Sequence, residues 1–394
     1  MLVELSNTPR PYEWGDSHSL ATWQGRKQGS QPEAELWLGT HPGSEAQVIS
    51  KRPNKIPVPL SSWLTQQSFA PELPFLVKII APGKPLSIQV HPTKAQAAVG
   101  FAREEASSVA WDSLERNYRD RSDKPEVLIA WSHVFDALVG FQHRETAVRT
   151  LEAVTELVGD IDSVASAREA LAGGIKGLVG WLFSGDESIT SLARAMTESF
   201  QSRPSINVPS GLYQTWEAVI PVYPGDPGIL AASFMNFVRL QEGEALFVPA
   251  GIVHAYLGGF GLEVMTPSDN VLRAGLTAKR VDLTGFASVA ERIPFTGARL
   301  EAKPTGNDGQ EFAPLGAPFR IIHWRGASGE SLRSQGPSVV VGHTGTSTLT
   351  EGTAVYEITA GHAYLWAPES SEATLSGNGS VYVISGKQVS SIPR

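Results

Sequence analysis

Apolar and polar positions divide the chain into stretches of different period. Up to about residue 130, short apolar runs such as "AELWLGTHPGSEAQVI" and "LPFLVKIIAPGKPLSIQVHP" are broken by Gly and Pro. That punctuation predicts strands and loops. Only "TKAQAAVGFAREEA", after His91, reads as a short helix. From about 131 to 211, "ETAVRTLEAVTELVGDIDSVASAREALAGGIKGLVGWLFS" and "SITSLARAMTESFQS" space their apolar residues at three and four. This is the pattern of amphipathic helices, and it predicts an all-helical insertion closed by "SRPSINVPSG". Strand character returns at about 212 and, past about 287, continues to the end. There "ITAGHAYLWAPE" (358–369) echoes "LQEGEALFVPAG" (240–251): a Gly turn, an apolar strand, then Pro. Two related β units on either side of the echo would explain it.

Composition narrows the chemistry. A chain of 394 residues is long enough for two or three packed units. With 38 Gly and 27 Pro it favours turns and short strands over long helices. A net charge of −8 provides no protein-wide field for nucleic acid or an anionic membrane, so the charge that binds an anionic ligand must be local. The absence of Cys removes disulfides, thiolate zinc sites and Cys nucleophiles. Any metal must therefore take His, carboxylate or amide ligands. The N-terminus is polar within a few residues and no run approaches a membrane span, so a cytoplasmic location is expected.

The most informative stretch is "LSIQVHP", Leu86 to Pro92. Side chains at i and i+2 share a strand face, so Gln89 and His91 project together while Ile88 and Val90 turn away. Polar groups on an inward face are costly unless something satisfies them. A metal ion would do so, and hydrogen bonds into a loop would do so equally. Among the nine His, His254 stands out because it follows the turn "PAG" and enters an apolar strand. Glu126 likewise starts a strand after Pro125. With Gln89 and His91 they have the make-up of a metal site.

Three longer blocks carry a resemblance: "LPFLVKIIAPGKPLSIQVHPTK", "YRDRSDKPEVLIA" and "GEALFVPAGIVHAYLGGFGLEVMTPSDNVLRAGLTAKRVD". They look like the signature blocks of type I mannose-6-phosphate isomerases (phosphomannose isomerases) of the cupin superfamily, as do "PYEWG" and "AELWLGTHP". The similarity runs from residue 9 to about 283. It implies a mainly β fold with two jelly-roll (cupin-like) domains and a helical insertion. The catalytic jelly roll would take residues 1–130 and 212–286, the insertion 131–211, and a metal-free second jelly roll 287–394. It implies one Zn2+ per chain on Gln89, His91, Glu126 and His254, and a small sugar phosphate as partner. The expected state is a monomer, with oligomers left open. The reaction implied interconverts mannose 6-phosphate and fructose 6-phosphate, moving a proton between C2 and C1 through a cis-enediol.

Further roles follow from the same match. Arg273 falls on the family's active-site arginine, placed to steady an enediolate or the phosphate. Lys124 precedes Glu126 by two residues. Lys78 is a cation in an apolar strand, whose alternative is an edge-strand lysine snorkelling to water. Ser87 lies on the face of Gln89 and resembles a phosphate-contacting serine. Tyr256 shares the face of His254. Asp269 and Asn270 are candidates for the substrate site, expected to brace a turn at its margin. The base is open among Glu263, Lys124 and a zinc-bound water.

The chain departs from the family pattern at several points. Asp123 stands where the family has a His linked to ring opening, and its charge opposes a nearby phosphate. The approach to His254 reads Gly251-Ile252-Val253, without the usual Asn and Pro. "LGGFGLE" lacks an acidic residue, and Thr277-Ala278-Lys279 replaces Thr-Pro-Lys. These changes keep two other readings in view. One is a catalytically silent or altered-specificity sugar-phosphate binder. The other is a metal-dependent cupin oxygenase, which the neutral amide ligand disfavours.

Overall fold

The structure is a computed structural model that describes residues 1–49, 56–202, 208–334, 336–368 and 372–387. The described residues are mainly β, in three antiparallel sheets, with ten helices. None of those helices is long and apolar enough to cross a membrane.

Two of the sheets frame the site. A six-stranded sheet runs in the order Arg299–Leu300, Ala245–Val248, Glu126–Ala130, Gly261–Met265, Leu76–Ile80, Glu35–Leu38. A five-stranded sheet follows Leu272–Gly275, Ile88–Val90, His254–Gly258, Val134–Phe141, Met235–Gln241. The Leu76–Ile80 strand is buried at all five positions, with β-branched residues that suit a pleated interior. It has neighbours on both sides, so Lys78 is not on an edge. The Ile88–Val90 strand ends at a helix, Lys94–Ala106, closed by a reciprocal cap between Thr93 and Gln96. The cap fixes where the chain leaves the strand just past His91.

The third sheet has eleven strands and is built mostly from residues after 302. It also takes in Leu2–Ser6, which pairs with Ala363–Trp366 on one side and Gln47–Ile49 on the other. The sequence echo has a structural counterpart. Gly243 and Gly361 both take positive φ (87° and 82°), and each is followed two residues later by a four-residue strand, Ala245–Val248 and Ala363–Trp366.

The helical stretch differs from its expectation at both ends. Val134–Phe141 is an interior strand of the five-stranded sheet, between His254–Gly258 and the edge strand Met235–Gln241. Its apolar run "VFDALVGF" is buried on both faces from Ala137 on, between the site and the helices, and such a run has no period to tell strand from helix. At the other end helices continue past 211, as Ser210–Val219 and Gly228–Ser233. Leu212, Thr215, Trp216 and Val219 are buried at helical spacing, a pattern hidden among Pro209, Pro221, Pro224 and Pro227. Between these ends Arg144–Val158 buries Ala147, Thr150, Leu151, Val154 and Leu157, the predicted stripe.

Candidate active site

Strand register brings the site together. In the five-stranded sheet Arg273 pairs with Gln89 and Gln89 with His254, so three side chains far apart in sequence face one way across adjacent strands. His91 and Tyr256 join them by alternation. In the six-stranded sheet Trp37 pairs with Lys78, Lys78 with Glu263 and Glu263 with Leu128. Glu35 and Glu126 lie two residues along on that face. The turn before His254 is tied to its neighbour: Gly251, at φ +87°, donates its N–H to the His91 carbonyl at 2.8 Å.

At the centre His91, Glu126 and His254 are buried, with one ligand atom of each within 4.8 Å of the others. The tautomers follow from the hydrogen bonds. His91 Nδ1 faces the Asn270 carbonyl at 2.8 Å and His254 Nδ1 the Ile252 carbonyl at 3.2 Å. A carbonyl oxygen only accepts, so each Nδ1 carries the proton and each Nε2 a lone pair. Those lone pairs point at Glu126, His91 Nε2 lying 3.2 Å from Oε1 and His254 Nε2 3.2 Å from Oε2. His91 Nε2 is buried without a hydrogen-bond partner. Burial, with Lys124 beside it, pushes the His91 imidazole down to about 4, so protonation does not resolve the contact near neutral pH. Acceptors aimed at one another in a dry site fit a divalent cation, and N,N,O donors suit zinc. A carbonyl behind each imidazole is the outer arrangement such sites use.

Cations and carboxylates alternate around this centre. Lys124 Nζ lies 3.0 Å from Glu126 Oε1, although the strand begins only at Glu126. Burial would raise the Glu126 carboxyl, but the adjacent Lys124 ammonium outweighs it and holds it well below the usual carboxylate range. Lys78 Nζ sits 4.5 Å above the Trp37 ring, 3.6 Å from Glu35 and 3.9 Å from Glu263. Burial opposes its charge, yet Glu35 and Glu263 raise its pKa. Burial and the nearby Glu126 push Glu263 up to about 8. Burial, with Glu263 and Glu126, lifts the Tyr256 hydroxyl well above its usual value.

A cleft of about 650 Å3 opens beside the centre, lined by Ser87, Gln89, Lys78, Lys124, Arg273 and Asp269 among others. The chain matches the model of the type I phosphomannose isomerase catalytic domain over residues 2–144. It is 30% identical to the mannose-6-phosphate isomerase of Escherichia coli K12 over 409 residues, 96% of this chain and 98% of that one. The chain belongs to the type I phosphomannose isomerase family. The human mannose-6-phosphate isomerase is 30% identical over 67% of this chain and 64% of its own. The Salmonella typhimurium enzyme, solved with fructose 6-phosphate and zinc, superposes with a TM-score of 0.86 at 28% identity, covering 98% of this chain and 99% of that one.

Within this family member the predicted residues separate into positions. Asn270 is fully buried and away from the cleft. Its side chain accepts from the N–H groups of Arg119 and Asp120 and donates to Asp120 and Ser122, stapling two loops. Asp269 reaches the cleft and meets His41 at 3.4 Å. Burial opposes its charge, but the hydrogen bond to His41 keeps its pKa low. Glu263 and Tyr256 are buried behind the wall. The sequence reading missed Glu35, Trp37 and His41, which lie within "AELWLGTHP", and the cleft cations Arg119, Lys279 and Arg280. Glu35 and Trp37 carried the same period-two signal as Gln89 and His91.

Proposed function

We propose that this protein is a zinc-dependent aldose–ketose isomerase acting on mannose 6-phosphate and fructose 6-phosphate. The observation that carries this reading is the convergence of two imidazole lone pairs and one carboxylate beside a cation-lined cleft. Gln89, His91, Glu126 and His254 would hold the ion, which when bound supplies Lewis acidity toward the sugar oxygens. Arg273, with Arg119 and Lys279 near it, suits a phosphate or a developing oxyanion. Ser87 would hydrogen-bond the phosphate. Lys124 and Lys78 offer N–H donors to the sugar hydroxyls, and Asp269 an acceptor at the mouth. Of the candidate side-chain bases, Lys124 lines the cleft and is the one placed to exchange a proton between C2 and C1, while Glu263 and Tyr256 would shape the site from behind its wall.

In architecture, we read the two smaller sheets as one jelly roll drawn mainly from residues 1–141 and 235–286, with the helices of 142–234 as its insertion. The region 287–394 would be a second, metal-free jelly roll. The Val134–Phe141 strand belongs with the first unit.

The test is a coupled assay on mannose 6-phosphate with chelator-stripped and zinc-reloaded protein. Interconversion lost on stripping and regained with zinc supports the proposal. Metal-loaded protein that leaves both sugars unchanged overturns it.

A further inference from the structure

Two segments without regular structure flank the opening of the cleft. Leu114, Arg116 and Asn117, which follow the helix Lys94–Ala106, line it from one side. Thr277, Lys279 and Arg280, which follow the strand Leu272–Gly275, line it from the other. Where they meet, the two segments are 165 residues apart along the chain. Their contacts are firm at the base and weak at the tip.

Ser108, at φ +54°, turns the chain out of the helix, and no regular element forms again before Glu126. Arg116 is buried and pins the base of the loop: its Nη1 donates to the Val109 carbonyl at 2.8 Å and its Nε to the Tyr118 carbonyl at 2.9 Å. Glu104, in the helix, accepts the N–H groups of Asn117 and Tyr118 at 3.1 and 2.8 Å. Asn117 in turn donates to Asp282 at 2.7 Å, which ties the base to the opposite side. Between the pins runs a flap, "AWDSLE", residues 110–115. Trp111 is 54% exposed, and Leu114, although it lines the cleft, is 83% exposed. A short exposed segment on a pinned base belongs to the low-stability end of a structure, from which lids are drawn.

One residue holds the tip across the opening. Arg280 donates from Nη1 to the Glu115 carbonyl, and its Nε lies 3.1 Å from Glu115 Oε2. A single guanidinium thus takes both the backbone and the side chain at the end of the flap. Glu115 is 71% exposed, and an ion pair so open to water is weak and easily exchanged. Arg280 also lines the cleft, so an anion entering there competes with the Glu115 carboxylate for the same guanidinium. We propose that residues 110–115 are a gate over the cleft, latched by Glu115 to Arg280, which an anionic ligand unlatches as it enters and leaves. The nature of that ligand rests on the sugar-phosphate reading of the cleft; the latch does not.

Glu115→Gln removes the charge and keeps the shape and the carbonyl contact. Hydrogen exchange of the zinc-loaded full chain, followed by mass spectrometry, should run about threefold faster at 110–115 in this variant, the size of effect an exposed pair gives, and unchanged in the strand Glu126–Ala130. Equal exchange at 110–115 in parent and variant overturns the latch. The chain has no Cys, so Glu115→Cys with Arg280→Cys can be joined by a flexible disulfide-containing cross-linker and released with a phosphine reductant. Joining should slow both the turnover of fructose 6-phosphate and the loss of zinc to a chelator by about tenfold or more, each measured against the same variant unjoined, and release should restore both. Zinc lost at the unjoined rate overturns the gate. A parent that leaves both sugars unchanged overturns instead the reaction assigned to the cleft, and exchange and zinc loss still decide the gate.

Discussion

Asn270 offers the sharpest test of how the site is braced. Its side chain makes five hydrogen bonds while fully buried: two accepted from the N–H groups of Arg119 and Asp120, and three donated to Asp120 O, Asp120 Oδ1 and Ser122 O. Its own carbonyl fixes the His91 tautomer. Asn270→Ala removes the five bonds and strands two N–H groups and two carbonyls. At about 1 kcal/mol for each group left unanswered, and less for those water can reach, the loss is about 3 kcal/mol. That corresponds to a fall in melting temperature of about 4 °C. Because the loop that positions the Asn270 carbonyl loses its anchor, zinc affinity should drop about tenfold. Asn270→Asp keeps the two accepted bonds but turns a carboxylate oxygen on the carbonyls of Asp120 and Ser122. It should therefore destabilise at least as much. Scanning calorimetry with and without zinc, with metal content measured on the same samples, reads both effects. A melting temperature within a degree of the parent and unchanged zinc affinity in Asn270→Ala would refute the bracing role.

Three further outcomes are expected. Arg273→Ala should lower kcat about a hundredfold or more, on the scale of losing one transition-state donor, with metal content retained; unchanged turnover removes Arg273 from the reaction. Lys78→Met leaves Glu35 and Glu263 buried without their cation, and should destabilise by about 3 kcal/mol, whereas Lys78→Arg should keep most of the stability; equal melting curves for the two variants would contradict the charge argument. Burial pushes His323 down to about 3 and His343 to about 4. Between about 6.5 and 4 the unfolded chain therefore binds protons that the folded chain refuses, and stability falls as pH drops through that window. In excess zinc, a double variant with Gln at 323 and 343 should lose less stability on acidification, and parallel curves for parent and variant would count against it.

How far the sequence reveals the site depends on whether a residue's placement follows from local periodicity or from long-range pairing. Gln89 and His91 are legible because period two puts them on one face before any partner is known. Glu126 and His254 carry only weak local signals, a Pro and a Gly turn, and it took the family blocks to join them. The physical reason is register: Gln89 meets His254 and Arg273 through pairings spanning more than 160 residues, and no local pattern encodes these. The cleft cations Arg119, Lys279 and Arg280 lie on irregular segments without a period. Lys78 was legible as an anomaly but not as a solved one. Its neighbours on both sides show that it is a central-strand lysine answered by two carboxylates. The helical insertion was legible from Arg144 to Ser202 and blurred at its ends, where an unbroken apolar run and a cluster of prolines hid a strand and two helices.

The same pairings explain how a chain of net charge −8 can receive an anion. The inner face of the six-stranded sheet gathers three carboxylates, Glu35, Glu126 and Glu263, but sets only Lys78 and Lys124 among them. With all three carboxylates ionised the floor is one charge negative, and a divalent ion held by Glu126 and the two imidazoles would make it one charge positive. The raised pKa of Glu263 moves the balance the same way, since a protonated carboxyl there withdraws a negative charge. Arg119, Arg273, Lys279 and Arg280 extend that sign along the cleft. Burial lowers the pKa of Arg273 and of Lys279, helped by Arg119 beside the first and Arg273 beside the second, a cost that an anion among them would relieve. Low-dielectric walls concentrate such a field, so the local sign, and not the net charge, decides what enters.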